Sequence, residues 1–200
     1  DSDLLLMIFA LTLAGIFFAL AAYKASSPYS FIGAERELLQ MVAYEPMLLM
    51  VAVGMYMTSG NFHIDDILAH PAHPLKLLPI FLGFLYVLEF KFRKSPFDLS
   101  TSHHAHQELV KGITTEFSGK MLALIEVAHW YENVLLYAWV GLFFAFNLWV
   151  GFGAVAGVYL FMIFVDNTFA RVKWQAAIQS SWAVTLVVSV VNLAVLAIWK

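Results

Sequence analysis

The stretch Arg93-Lys-Ser-Pro-Phe-Asp-Leu-Ser-Thr-Ser-His-His-Ala-His-Gln-Glu-Leu-Val-Lys-Gly-Ile-Thr-Thr-Glu-Phe-Ser-Gly119 separates two apolar runs, 75–92 and 121–146. Each run is long enough to cross a bilayer as a helix, which takes roughly 17 to 25 residues. A bare connector between two such helices would need only a few polar residues. This loop carries acids, bases and three histidines, so we expect it to be a functional part of a membrane protein.

The whole chain has the composition of a membrane protein. It is 62% hydrophobic and only 12% charged, with a mean hydropathy of +0.78, whereas a soluble domain is typically about 25% charged. Backbone polar groups in lipid must be satisfied within the segment. The prediction is therefore an all-α, polytopic transmembrane helix bundle, with 1–200 forming a single integral membrane domain. Its six predicted spans are 4–23, 37–58, 75–92, 121–146, 149–165 and 181–199.

Several kinds of site are not indicated by the residue types. The chain has no cysteine, so it supplies no thiolate ligand to an iron–sulfur cluster. No phosphate-binding Gly-rich loop, dinucleotide fingerprint or GxSxG elbow occurs, and no nucleic acid partner is expected. His103, His104 and His106 are close in sequence, but zinc sites commonly use pairs separated by three to five residues. We therefore expect no metal at these histidines, which fit a hydrogen-bonded loop or a docking surface better.

The basic residues predict an orientation in the membrane. Nine of the eleven Lys and Arg residues fall in loops 24–36, 91–120 and 166–180, and the other side holds only Lys76 and Lys200. This positive-inside bias places the three loops in the cytoplasm. The outer connector is expected to hold a short interfacial helix around Ile64–Ala69. The very short connector between the fourth and fifth runs predicts an antiparallel hairpin.

Ionisable residues inside the predicted spans are the second signal. Translocon scales put an Asp, Lys or Arg at a helix centre at roughly +2.5 to +3.5 kcal/mol, so such groups seldom face lipid. Glu126, His129 and Glu132 follow one another at three-residue intervals. They lie on one face of a helix, rising roughly 9 Å along its axis. This face predicts a hydrated path suited to proton transfer, because histidine titrates near neutral pH.

Two more carboxylates are predicted to belong to the ion path. Glu45 precedes Pro46, which removes a backbone donor and is expected to disturb the helix. Glu89 lies near the predicted cytoplasmic end of its span. The alternative for all these charges is a structural one, in which they form interhelical hydrogen bonds, mark helix ends or reach the interface.

Short motifs follow one another along most of the chain. They are Gly33-Ala-Glu-Arg36, Gln40-Met41, Tyr44-Glu45, Ser95-Pro-Phe-Asp98, Glu108-Leu-Val-Lys-Gly112, Glu116-Phe-Ser-Gly119 and Asp166-Asn-Thr-Phe-Ala-Arg-Val-Lys173. This ordered series resembles the membrane subunit shared by respiratory complex I (its H subunit) and membrane-bound energy-converting nickel–iron hydrogenases. The resemblance implies a further N-terminal helix and an amphipathic segment that the sequence does not include.

Departures from the complex I pattern favour the hydrogenase branch. The loop after Asp98 is longer and rich in histidine, where the complex I protein is shorter and rich in carboxylates. His129 stands where that protein is expected to have a carboxylate, and Glu126 where it is expected to be apolar. The resemblance is therefore read as one to a group 4 hydrogenase of the Ech-type, CO-induced or formate-hydrogenlyase-like kind.

On this resemblance, the chain is a membrane anchor and ion-translocation coupling subunit in the cell inner (cytoplasmic) membrane. It would link hydrogen formation driven by ferredoxin, CO or formate to proton or sodium movement. The implied partners are the hydrogenase large and small subunits, a ferredoxin-like iron–sulfur subunit and an antiporter-like membrane subunit. These partners would hold the nickel–iron centre and the iron–sulfur clusters, with no cofactor in this chain. The expected subunit-junction residues are Arg36, Asp98, His103, His104, His106, Glu108, Glu116, Asp166 and Arg171.

Three alternatives stay open from the sequence. The first is the quinone-site membrane subunit of a complex I-type NADH:quinone oxidoreductase. The second is a passive anchor without a coupling role. The third is an independent secondary transporter, which would be expected to show inverted repeats; no repeat is visible in the sequence.

Overall fold

The computed structural model of the chain describes residues 3–71, 76–97 and 112–198. Within these ranges the chain forms α-helices and one 3-10 turn, Gly112–Thr114, with no strand beyond an isolated bridge between Asp3 and His63. The all-α prediction is confirmed. The helices are α1 (Leu4–Lys24), α2 (Pro28–Ser59), α3 (Ile64–Ala69), α4 (Leu78–Lys91), α5 (Gly119–Leu142), α6 (Leu148–Thr168) and α7 (Trp174–Ile198).

Four helices of the described part, α1, α2, α6 and α7, are long and apolar enough to cross a membrane. The helical membrane protein predicted from composition is thus confirmed. Helix α4 has 14 residues, fewer than a full span needs. Helix α5 has 24 residues, but it carries Glu126 and Glu132. The count of six spans stays a prediction that includes these two helices.

The predicted start of the second span at residue 37 is wrong, because α2 begins at Pro28. Proline at the first helical position is pre-organised for a helix start, and no breaker follows it. Most of the predicted loop 24–36 is therefore helical, and Arg36 lies on α2. The helix also continues through Pro46, and it ends at Gly60, which adopts a φ of +80°.

The last two helices also extend beyond their predicted ends. Helix α6 continues to Thr168, and α7 begins at Trp174 instead of 181, so the predicted loop 166–180 shrinks to 169–173. The predicted short helix α3 is confirmed. The α5–α6 hairpin is also confirmed, since the two helices pack together across the connector 143–147.

Helix α2 holds the bundle together. It packs against α1, α4 and α7, and also against the 3-10 turn. Its buried face is continuous with that of α4, and both contribute to one hydrophobic core. Because α2 touches so many elements, charged residues on its buried face can meet residues from three other helices.

Candidate functional site

A buried ion pair joins the end of α4 to the first third of α2. Arg93 follows α4 and adopts a left-handed backbone with φ of +52°. Its guanidinium donates to Glu37 through Nη2, and its Nε lies 3.1 Å from Glu37 Oε1. Glu37 is only 1% exposed. The planar guanidinium suits such a two-oxygen contact, so the pair fixes the turn after α4 against α2. Burial works to lower the pKa of Arg93, but the Glu37 carboxylate outweighs it and the pKa is raised.

A second cation on the same turn connects α4 to α5. Lys91 is buried, and its Nζ lies 2.6 Å from Glu132 Oε1. The same ammonium donates to the Tyr44 hydroxyl at 3.1 Å and lies 4.6 Å from the centre of the Tyr44 ring. Arg93 Nη1 lies 3.9 Å from Glu132 Oε2. Two acids and two bases thus form one network, which we call the charged network: Glu37, Lys91, Arg93, Glu132 and the Tyr44 hydroxyl.

Helix α1 covers one side of the charged network with an aromatic ring. The Phe18 ring centre lies 5.4 Å from Arg93 Cζ and 5.4 Å from the ring of His129, which meets it edge-on. His129 is half-buried on α5, whereas Glu126 is exposed one turn earlier. The structure therefore brings His129 and Glu132 to the network and leaves Glu126 at the surface of the chain.

A cavity of about 480 Å³ lies between α1 and α5 beside this network. Its walls are mostly apolar and include Leu11, Ala14 and Leu124, while Arg93, His129 and Glu132 also line it. The site is therefore an apolar chamber with charged and ionisable groups in its wall. Such a shape suits an amphiphilic molecule with hydrogen-bond acceptors at one end and a long apolar tail.

A second cavity, of about 600 Å³, lies between α4, α6 and α7. Glu89 lines it and is 3% exposed, and neither of its carboxylate oxygens has a hydrogen-bond partner among the described residues. The Tyr86 hydroxyl and Ser180 Oγ, 2.7 Å apart, line the same cavity. Glu89 does not reach the interface, as the structural alternative from the sequence suggested.

The described parts of the long loop are packed onto the helices. Gln40 Nε2 donates to the Phe97 carbonyl, and the Phe97 ring stacks on Phe90 with ring centres 3.9 Å apart. Asp166 Oδ1 accepts from the Ser95 backbone N–H at 3.0 Å. On the other side of the loop, Ile113 is fully buried. The predicted loop order is thus visible at both ends of the loop.

The predicted junction residues have different positions. Asp166 contacts the loop, as described. Arg36, Glu116 and Arg171 are exposed. Glu45 is half-buried on α2, and its Oε1 has no partner among the described residues. The other predicted junction residues lie outside the described residues: Asp98, His103, His104, His106 and Glu108.

The sequence reasoning missed the role of Glu37, Lys91 and Arg93. It treated the two cations only as orientation signals, and it placed Glu37 at the first position of a span. A signal was available, because Glu37, Gln40 and Tyr44 share one helical face at intervals of three and four residues. A helix started at Pro28 would have placed that face well inside the helix.

The family model described as NADH dehydrogenase matches residues 1–197, nearly the entire chain. The chain belongs to this family. It is 28% identical over 204 residues to the H subunit of the NADH-quinone oxidoreductase of Dehalococcoides mccartyi, covering 96% of the chain and 56% of the relative. It is 30% identical over 198 residues to the corresponding protein of Geobacillus kaustophilus, covering 89% of the chain and 57% of the relative. The chain thus spans a little over half the length of these curated relatives.

A solved structure shares the fold of this NADH dehydrogenase family member. The membrane-bound sulfane sulfur reductase, an archaeal respiratory membrane complex, superposes with a TM-score of 0.84 at 23% identity. The superposition covers 97% of the chain and 69% of that protein's chain. The two curated relatives are membrane proteins of NADH-quinone oxidoreductase, so they match the quinone alternative more directly than the hydrogenase reading.

Proposed function

We propose that the chain is the quinone-facing membrane subunit of a complex I-like respiratory oxidoreductase. The observation that carries the proposal is the cavity between α1 and α5, whose apolar walls meet His129 and the charged network. The curated relatives are named for NADH-quinone oxidoreductase. A respiratory quinone has two carbonyl acceptors on its ring and an isoprenoid tail, and these two parts match the two kinds of wall.

The residues of this chain would bind and orient the quinone and handle protons. Reduction of a quinone to a quinol takes up two electrons and two protons. The electrons would come from a partner subunit, because this chain has no cysteine for a cluster. His129 and Arg93 offer N–H donors toward a ring carbonyl. His129 can also deliver a proton, since imidazole exchanges protons near neutral pH.

The charged network would connect this chemistry to ion movement. Glu132 lies within 2.6 Å of Lys91 and 3.9 Å of Arg93, so it is shared by two cations. A change of charge in the cavity alters the balance between those two contacts. Lys91 also holds Tyr44, the neighbour of Glu45 on α2. Through these contacts, reduction in the cavity would shift charges inside the bundle.

A substitution that fills the cavity tests the proposal. Ala14→Phe places a ring in the cavity between α1 and α5 and should raise the KM of the intact complex for a short-chain quinone at least tenfold. Electron transfer to a hydrophilic acceptor should not change, because it bypasses the cavity. Ala10→Phe is the matched control, on the same helix at an exposed position that does not line the cavity. Equal KM values for the two variants would overturn the proposal.

An energy-converting hydrogenase remains a second candidate function. It is favoured by the histidine-rich sequence 103–106 and by His129 at a position where a complex I carboxylate is expected. In that case the same charged network would couple hydrogen formation in partner subunits to proton or sodium movement. Nickel in stoichiometric amounts in the purified complex, with no quinone reductase activity, would select this candidate. Under both candidates we propose that the loop 91–120 faces the cytoplasm.

A further inference from the structure

The buried face of α7 is polar along its centre. Ser181, Thr185, Ser189 and Asn192 follow one another at intervals of four, four and three residues, so they form one row on the helix. Each is at most 7% exposed. The row points into the bundle, because α7 packs against α2 and α4. We call these four residues the α7 row.

The contacts of the α7 row go beyond those that close packing needs. Small residues often let membrane helices approach, and Ser181 has such a role, since its hydroxyl donates to the Ala43 carbonyl on α2. The other three members differ. Thr185 Oγ1, Ser189 Oγ and Asn192 Oδ1 are buried and have no hydrogen-bond partner among the described residues. Buried polar atoms in a membrane bundle are normally satisfied, so these three call for a ligand.

Water fits the spacing of the row. Residues four apart on a helix are separated by a rise of roughly 6 Å along its axis. A water molecule with hydrogen bonds of about 2.8 Å on both sides bridges such a distance. From Ser181 to Asn192 the row rises roughly 16 Å, about half of the hydrocarbon thickness of a bilayer.

One end of the α7 row lies beside an ionisable group. Ser180, the neighbour of Ser181, is hydrogen-bonded to Tyr86 at 2.7 Å, and both line the cavity that contains Glu89. Glu89 is buried and has no partner among the described residues. Its carboxyl can take up and release a proton. At the other end, Asn192 lies against Gly54 of α2.

We propose that the α7 row is a proton path through the bundle. Waters held by Thr185, Ser189 and Asn192 pass protons between the Glu89 cavity and the far end of the row beside Gly54. At each step a water gains a proton on one side and releases another on the opposite side, so no redox partner is consumed. The inference rests on the proposed function only in that the complex moves ions. It does not involve the α1–α5 cavity.

The test is proton pumping by the intact complex in proteoliposomes. Thr185→Val keeps the shape of the side chain and removes the hydroxyl. It should lower the number of protons moved per electron at least threefold, while uncoupled redox turnover stays within twofold of the parent complex. Thr185→Ser is the matched control, because it retains the hydroxyl and should pump normally. Loss of redox turnover in Ala14→Phe, by contrast, reports on the proposed function alone.

A second variant decides the question if Thr185→Val does not assemble. Ser189→Ala removes one hydroxyl from the row with a very small change of volume, and the same loss of pumping is expected. A normal proton-to-electron ratio in the assembled Thr185→Val complex, or in Ser189→Ala where the first fails to assemble, would overturn the proposal. Transport of sodium with no proton movement would overturn it as well.

Discussion

The C-terminal turn of α4 places buried charges in two opposite situations. Lys91 and Arg93 are paired with carboxylates of α2 and α5, so the charges of the network balance. Glu89, two residues before Lys91, faces the cavity on another side of the helix and has no partner among the described residues. Charges that are buried together act as a scaffold, whereas a buried acid without a partner is suited to exchange a proton with what enters beside it.

The largest effect should follow from breaking the paired region. Arg93→Met leaves Glu37 buried without its partner, and removal of one member of a buried ion pair typically costs about 3–5 kcal/mol. The complex should lose stability and yield, measured as the temperature at which the detergent-solubilised complex loses its intact size. The double variant Arg93→Met with Glu37→Met should recover much of that loss. A single variant as stable as the parent would show that the pair does not hold the fold.

An intermediate effect should follow from a change at the contact between α2 and the loop. A Cβ at Gly33 would lie 2.4 Å from the Ile113 backbone nitrogen. Gly33→Ala must displace the turn Gly112–Thr114, which we expect to cost about 1–3 kcal/mol in the same thermal assay. Gly153→Ala is the control, because nothing lies within 4 Å of a Cβ at that position of α6. Equal melting temperatures for the two variants would contradict a tightly packed loop.

The paired region also shows how far the sequence could go. Composition and apolar runs predicted a helical membrane protein, and short-range patterns predicted α3 and the α5–α6 hairpin, because these depend on neighbouring residues. The pairing of Glu37 with Arg93 joins residues 56 positions apart. It depends on the left-handed turn at Arg93 and on the true start of α2. No local pattern encodes that geometry.

The candidate path was predicted in part for a similar reason. Helical spacing placed Glu126, His129 and Glu132 on one face, but it could not say which end of that face meets α1 and α4. The structure places His129 and Glu132 at the network and Glu126 at the surface. The α7 row escaped notice because serine and threonine are common in membrane helices. Only the packing on α2 and α4 shows that their hydroxyls are buried.

The smallest effect on stability is expected at the unpaired acid. Glu89→Gln keeps the shape of the side chain and breaks no hydrogen bond among the described residues, so the change should stay below about 1 kcal/mol. Its thermal transition should therefore match that of the parent complex, in contrast to Arg93→Met. A loss as large as that of Arg93→Met would mean that Glu89 is structural and would remove the distinction between the two regions.

Photolabelling with a quinone tests the central claim most directly, because both cavities are available to it. The intact complex is incubated with a photoreactive azidoquinone, illuminated and digested, and the labelled peptides are identified by mass spectrometry. We predict label in α1 and α5, at residues near Ala14 and His129, and loss of this label with excess unlabelled quinone. Label confined to the cavity of Glu89 between α4, α6 and α7, or no label that unlabelled quinone displaces, would contradict the account.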